Sequence, residues 1–293
     1  MIDMHIHSTN SDGTKTIKEI LEIAEKNGLN VISITDHENC NGYDELKNIN
    51  VDSCYSGKII TGIELKGQHK DLVMDILGYG FDCKKMKEGI EECYKNVSRA
   101  NIQEWQVKEF YRIGKEMGLV LRPMEELQWD KDREWGSIVF YDEMKSHDEN
   151  KNKVADDIWI SFLDFKKHYR HKGDPFYINR AQNYPNIRKI LNVIHSSGGK
   201  AFIAHIFEYK EIEDKINELE EMVSNYDIDG IECYYTNFTD EENKAVLEFA
   251  KKHNLLVSGG SDYHGDAKPG ISIGIGKGNL HVPDEIISNW FNE

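Results

Sequence analysis

The stretch MIDMHIHSTNSDGTKTIKEILEIAEKNGLNVISITDH, residues 1–37, decides the fold. Met1 to His7 reads as a short strand. Thr16 to Asn27 places Ile17, Ile20, Leu21 and Ala24 on one helical face and stops at Gly28. Leu29 to Thr35 is a second, apolar strand. Strand, helix, strand in this order predicts a parallel sheet built with right-handed crossovers.

Outward from that unit, Ile59–Glu64 reads as a third strand and Leu72–Tyr79 as a fourth, joined by a polar turn. The texture changes between about residues 86 and 180. Lys87 to Met117 predicts one or two long charged helices, and Arg122 to Pro175 has weak periodicity. Trp129, Trp135, Phe140, Trp159, Phe162 and Phe165 supply enough aromatic surface there for a packed helical cap. Alternation then returns, with helices over 186–196, 211–224 and 241–253 and strands over 200–204, 229–235 and 255–259. The expected organisation is one barrel formed by residues 1–85 and 181–293, interrupted by a mainly helical insertion at 86–180.

The 293 residues suit one barrel-sized domain with an insertion. No run approaches the roughly 18 apolar residues of a membrane span, so no membrane association is expected. Residues 1–13 lack the basic start and apolar core of a signal peptide. Five scattered cysteines (40, 54, 83, 93 and 233) form no C-x-x-C pair. Reduced thiols and a cytoplasmic location are the expectation. The net charge of -16 argues against stable nucleic-acid binding, which relies on Lys and Arg. It does not exclude a nucleotide as substrate.

The chemistry gathers at strand ends. On a strand, i and i+2 side chains share a face, so His5 and His7 can address one ion. Asp36-His37 follows the second strand, and Glu64 ends the third. His205 follows Lys200–Ala204, while Asp262 and His264 lie just beyond the last strand. Each motif alone has an ordinary reading: a helix cap, a core histidine, a tight turn. Five such positions at five strand ends do not. Parallel strands closing into a barrel would bring them to one mouth, where α/β barrels carry their sites. Mixed nitrogen and oxygen donors suit Zn, Mn or Fe.

These motifs, M-I-D-M-H-I-H-S-T-N-S-D-G, I-T-D-H, G-I-E, A-H and S-D-Y-H, resemble the PHP (polymerase and histidinol phosphatase) superfamily. Within it, the group of small-nucleotide phosphatases acting on AMP or nucleoside 3',5'-bisphosphates is the most similar. The resemblance covers roughly residues 1–83 and 185–275. It implies a distorted (β/α)7 barrel around two or three divalent ions. His5, His7, Glu64 and Asp262 would hold one ion, Glu64 and His205 would share a second, and Asp12, His37 and His264 would hold a third. Where relatives carry histidine in a stretch similar to V-H-I-L-G-Y, this chain has Asp75. A carboxylate there favours harder ions such as Mn²⁺. His69, in the preceding turn, is a substitute candidate. His205 is followed by Ile206 rather than proline, and the middle region does not match relatives well.

The implied reaction is hydrolysis of a small, nucleotide-like phosphate monoester by a metal-activated water. Glu64 and Asp262 would orient the metals, and His37 or His264 would assist the leaving group. Asp3 and Asp36 are candidates to receive the second N–H of ligating imidazoles. Arg180 is a candidate phosphate clamp. The alternatives are a histidinol-phosphate phosphatase, a 3'–5' exonuclease or phosphodiesterase, and a metal-binding regulatory module without turnover.

Overall fold

The computed structural model describes residues 1–290. The last three residues of the expected barrel segment, 291–293, lie outside the described residues. The chain divides into two compact units. The first comprises Met1–His69, Val73–Cys93 and the chain from Pro185 on; the second comprises Lys70–Leu72 and Tyr94–Tyr184.

The first unit is a seven-stranded sheet whose spatial order follows the sequence. Its strands are β1 (Ile2–Ile6), β2 (Val31–Ile34), β3 (Lys58–His69), β4 (Leu72–Tyr79), β5 (Lys200–Ile203), β6 (Gly230–Tyr235) and β7 (Leu256–Gly260). β1, β2 and β3 pair in parallel, as do β5, β6 and β7. β4 pairs antiparallel with β5, a departure from the all-parallel sheet that the opening unit suggests. β3 runs through His69 instead of ending near Glu64, so only Lys70 and Asp71 connect it to β4. Two residues make a hairpin, whereas a parallel return needs a dozen or more.

The sheet nearly closes on itself. Asp262 N–H donates to His5 O at 2.8 Å, and His7 N–H donates to Tyr263 O at 2.9 Å. Gly260 makes this approach possible: a Cβ there would lie 2.4 Å from both the nitrogen and the Cβ of His5. Its glycine serves close backbone contact rather than a turn. Inside, Ile2, Met4, Val31, Ile60, Leu77, Tyr79 and Phe202 cluster with Trp290. The Phe202 ring centroid lies 5.2 Å from that of Tyr79 and 4.7 Å from that of Trp290.

Helix α1 (Ile17–Lys26) shows how local sequence sets these elements. Thr16 caps it by accepting from Glu19 N–H, and the Glu19 carboxylate accepts from Thr16 N–H in return. The four apolar residues at helical spacing are the buried ones, and Gly28 follows at φ 68°. Five further helices belong to or border this unit: α2 (Asn41–Leu46), α3 (Cys83–Tyr94), and, beyond the second unit, α8 (Ile187–Ser196), α9 (Lys215–Asn225) and α10 (Asp240–His253).

The second unit contains α4 (Arg99–Glu116), α5 (Gly136–Lys145), α6 (Asp156–Ile160) and α7 (Phe162–His168). Its core is aromatic, with Phe110, Phe140, Phe165, Tyr169 and Phe176 buried together. Of the six aromatic residues expected to pack, Phe140 and Phe165 sit at the centre. Trp135 is 52% exposed. Among the described residues of the whole chain, no helix is long and apolar enough to cross a membrane.

Candidate metal centre

β1 delivers His5 and His7 to one place, as i, i+2 spacing requires. Both are fully buried, and their Nε2 atoms are 3.2 Å apart. Glu64 Oε2 lies 3.4 Å from His5 Nε2 and 3.1 Å from His7 Nε2. Asp262 Oδ1 lies 3.5 and 3.4 Å from the same two atoms. Donors bonded at about 2.1 Å to one ion sit roughly 3.0–3.4 Å from each other, so this spacing fits a coordination sphere.

Two further groups adjoin the first. Asp12 reaches His264 Nε2 at 3.2 Å, His37 Nε2 at 3.6 Å and His7 Nδ1 at 3.6 Å. On the other side, Glu64 Oε1 is 3.0 Å from His205 Nε2, and Asp75 Oδ2 is 4.0 Å from that nitrogen. Three ligand sets therefore share members: His7, Asp12, His37 and His264; His5, His7 and Glu64; Glu64, Asp75 and His205. All nine expected ligands fall within these sets or, for Asp262, against them.

The remaining atoms of these side chains are held so that free lone pairs converge. His5 Nδ1 pairs with Glu232 Oε1 at 2.9 Å, which turns Nε2 inward. His264 Nδ1 donates to Asp262 O at 2.9 Å, leaving Nε2 toward Asp12. Tyr235 OH at 2.7 Å and Lys268 Nζ at 2.5 Å occupy Asp262 Oδ2 and leave Oδ1 for the imidazoles. Tyr209 OH donates to Asp75 Oδ2, while Asp75 Oδ1 is buried, has no hydrogen-bond partner among the described residues and faces Lys66 Nζ at 3.7 Å. A carboxylate oxygen with no closer partner, beside convergent nitrogen and oxygen donors, fits a cation. Asp262 and His205 both hold positive φ, 54° and 23°, strain of a kind that clusters at functional sites.

Electrostatics point the same way. Burial would raise the Glu64 carboxyl, yet His5, His37 and His205 hold it well below the ordinary range. Burial pushes the His7 imidazole down to about 3, so it is neutral and ready to ligate at physiological pH. Burial also opposes charge on His205, but Glu64 outweighs it and lifts that imidazole to about 9. Carboxylates packed this closely demand compensating positive charge, from protons or from metal ions.

Asp3 and Asp36 take a different part from the one expected. Among the described residues, neither receives an imidazole N–H. Asp3, on the same face of β1 as His5, accepts backbone N–H groups of His5, Ser261 and Gly274 at 3.2, 2.9 and 2.7 Å. Burial raises its carboxyl to about 6. Asp36 accepts from Ser8 N–H, Ser8 Oγ and Ser11 Oγ, and so shapes the loop between His7 and Asp12. His69 lies within β3 and contacts Tyr226 OH and Glu218 Oε1, apart from the three ligand sets. Arg180 belongs to the second unit, at the start of a 3-10 turn.

The residue missed from sequence is Glu232. It receives the His5 imidazole and also accepts from His205 N–H at 2.9 Å. Its signal was an acid flanked by Ile231 and Cys233 in an apolar strand, a position that is seldom charged without a partner. Lys66, whose Nζ lies 2.9 Å from His37 Nδ1, was also not singled out.

A model of the PHP domain matches residues 3–251. A 5'-3' exoribonuclease of Haemophilus influenzae is 26% identical, with 98% of this chain and 97% of that protein covered. A 3',5'-nucleoside bisphosphate phosphatase of Chromobacterium violaceum is 23% identical over 93% of this chain and 90% of its own length. Among solved structures, a proposed metal-dependent phosphoesterase of Bifidobacterium adolescentis superposes with a TM-score of 0.63 at 21% identity, covering 99% of this chain and 94% of that one.

Proposed function

This chain belongs to the PHP domain family, and from that membership we propose that it is a metal-dependent phosphoesterase whose substrate is a small, nucleotide-like phosphate monoester. The observation that carries the reading is the continuous ligand cluster, in which Glu64 faces His7 with one oxygen and His205 with the other. Its donor set suits two or three divalent ions. Bound there, such ions supply an activated water and neutralise charge on the phosphoryl and leaving oxygens.

The protein's own residues take these roles. His5, His7, Glu64 and Asp262 form the central ligand set; Asp75 and His205 extend it on one side, and Asp12, His37 and His264 on the other. Asp75 adds a carboxylate where an imidazole would be softer, which favours Mn²⁺ over Zn²⁺ or Fe²⁺. His37 or His264 assists the leaving group. Glu232 fixes the His5 ring, and Asp3 and Asp36 fix the backbone that bears the ligands.

A second reading is cleavage of a phosphodiester at an RNA end, and the exoribonuclease relative favours it. Phosphate and nucleotide release in Mn²⁺ from AMP, a nucleoside 3',5'-bisphosphate, histidinol phosphate, sugar phosphates and a 5'-phosphorylated oligoribonucleotide separates the readings. Turnover concentrated on the mononucleotides supports the proposal. Turnover of the oligonucleotide alone replaces it with the diesterase reading.

A further inference from the structure

The second unit contains a cavity of about 220 Å³ lined by Gln106, Trp135, Lys166, Tyr169, Arg170 and Arg180, among others. Two of its polar atoms are stranded. Gln106 is 4% exposed, and its Oε1 has no hydrogen-bond partner among the described residues; the same holds for the buried Nε of Arg180. One is an acceptor and the other a donor, and the side chains that carry them line one cavity. Folding leaves few such groups unmatched, and two on the lining of one cavity mark it as a candidate ligand site.

The rest of the lining says what that ligand is. In a chain of net charge -16, the cavity collects three cations, and among the described residues Lys166, Arg170 and Arg180 form no ion pair. Uncompensated cations in an acidic protein call for an anion. Trp135 adds a large flat surface. The Arg99 guanidinium covers its ring at 4.2 Å, and Arg99 is itself tied to the carbonyls of Asp132 and Arg133. An indole clamped this way yet half exposed is a rigid platform for another ring.

We infer that this cavity is a nucleotide-binding site in which the base stacks near Trp135, the Gln106 amide reads the base edge, and Lys166, Arg170 and Arg180 hold phosphate. A carboxamide pairs naturally with the adjoining donor and acceptor of a base edge. Aromatic faces with cations beside them are the usual way single-stranded nucleotides are held. The volume is below the roughly 300–1,000 Å³ of sites that enclose a drug-sized ligand, so it admits a base and leaves the phosphate at the rim. The inference stands on the second unit alone and does not depend on the metal-centre reading.

Calorimetric titration of the 293-residue chain in chelator, where no bound metal ion adds to phosphate binding, tests it. The probes are AMP, ribose 5-phosphate, inorganic phosphate and a 5'-phosphorylated oligoadenylate. AMP or the oligoadenylate is expected to bind at least about tenfold more tightly than ribose 5-phosphate. Trp135→Ala and the double variant Lys166→Glu/Arg170→Glu, all partly or well exposed, should each weaken binding by about tenfold or more. Gln106→Leu should remove the advantage of AMP over ribose 5-phosphate. Binding of AMP identifies a free mononucleotide as the source, and binding of the oligoadenylate alone identifies an RNA strand. Equal binding of AMP and ribose 5-phosphate, undiminished binding by the exposed variants, or no binding of any probe overturns the inference.

Discussion

Glu64 and His7 meet at 3.1 Å, Oε2 to Nε2, although both are buried and come from strands at different places in the sheet. The other Glu64 oxygen is turned to His205. One carboxylate thus links two ligand sets, which makes the cluster a single electrostatic unit.

Glu232 acts through His5. Its carboxylate sets the imidazole tautomer and makes Nε2 a better donor. Glu232→Gln should therefore lower metal affinity by about 10–100-fold while leaving the fold intact, as read by competition with a chelating dye and by circular dichroism. Unchanged affinity would remove Glu232 from the account.

His205 predicts a pH dependence with a definite sign. With its imidazole lifted to about 9, it carries a proton at pH 7 that a metal at Glu64, Asp75 and His205 must displace. Affinity at this set should rise with pH by up to about tenfold per unit until pH 9 and then level off. Calorimetry in buffers of different ionisation enthalpy should show proton release at pH 7 that is smaller in His205→Asn, the imidazoles of His5 and His37, also raised by neighbouring carboxylates, still releasing theirs. A pH-independent affinity contradicts the assignment.

Asp75 should control which ion is held. Asp75→His exchanges a hard oxygen donor for a softer nitrogen and should raise the Zn²⁺ content relative to Mn²⁺ when both ions are offered. Elemental analysis of protein equilibrated with the pair measures this. An unchanged ratio places Asp75 outside the ligand set.

What could be read from sequence followed from local geometry. The spacing of His5 and His7 fixes a shared face on any strand, and the helix that begins after Thr16 is marked by residues only a turn or two apart. Glu232 was not legible because its meaning lies in the Nδ1 of a histidine 227 positions away. The roles of Asp3 and Asp36 were misjudged for a related reason. Their partners are largely backbone amides and serine hydroxyls, which no motif advertises. The reversal of β4 turned on whether residues 65–69 were strand or loop, and pairing with neighbours decides that. Trp135 looked like core and stands half exposed, while Phe110 and Phe176 do the packing.

Phe202 tests the barrel itself. Its ring packs on Tyr79 and Trp290, so Phe202→Ala should cost about 3–5 kcal/mol in urea unfolding. The comparison belongs in chelator, since bound metal would stabilise both proteins. A midpoint equal to that of the parent would contradict the packing described.

The central claim is tested most directly by following phosphate release from AMP and a nucleoside 3',5'-bisphosphate while Mn²⁺ is titrated into metal-stripped protein, alongside His7→Ala. The account predicts no release before metal is added, turnover that climbs as two to three equivalents bind, and neither binding nor turnover at that stoichiometry in His7→Ala. Equal turnover by the stripped protein, or full activity in His7→Ala, would contradict it.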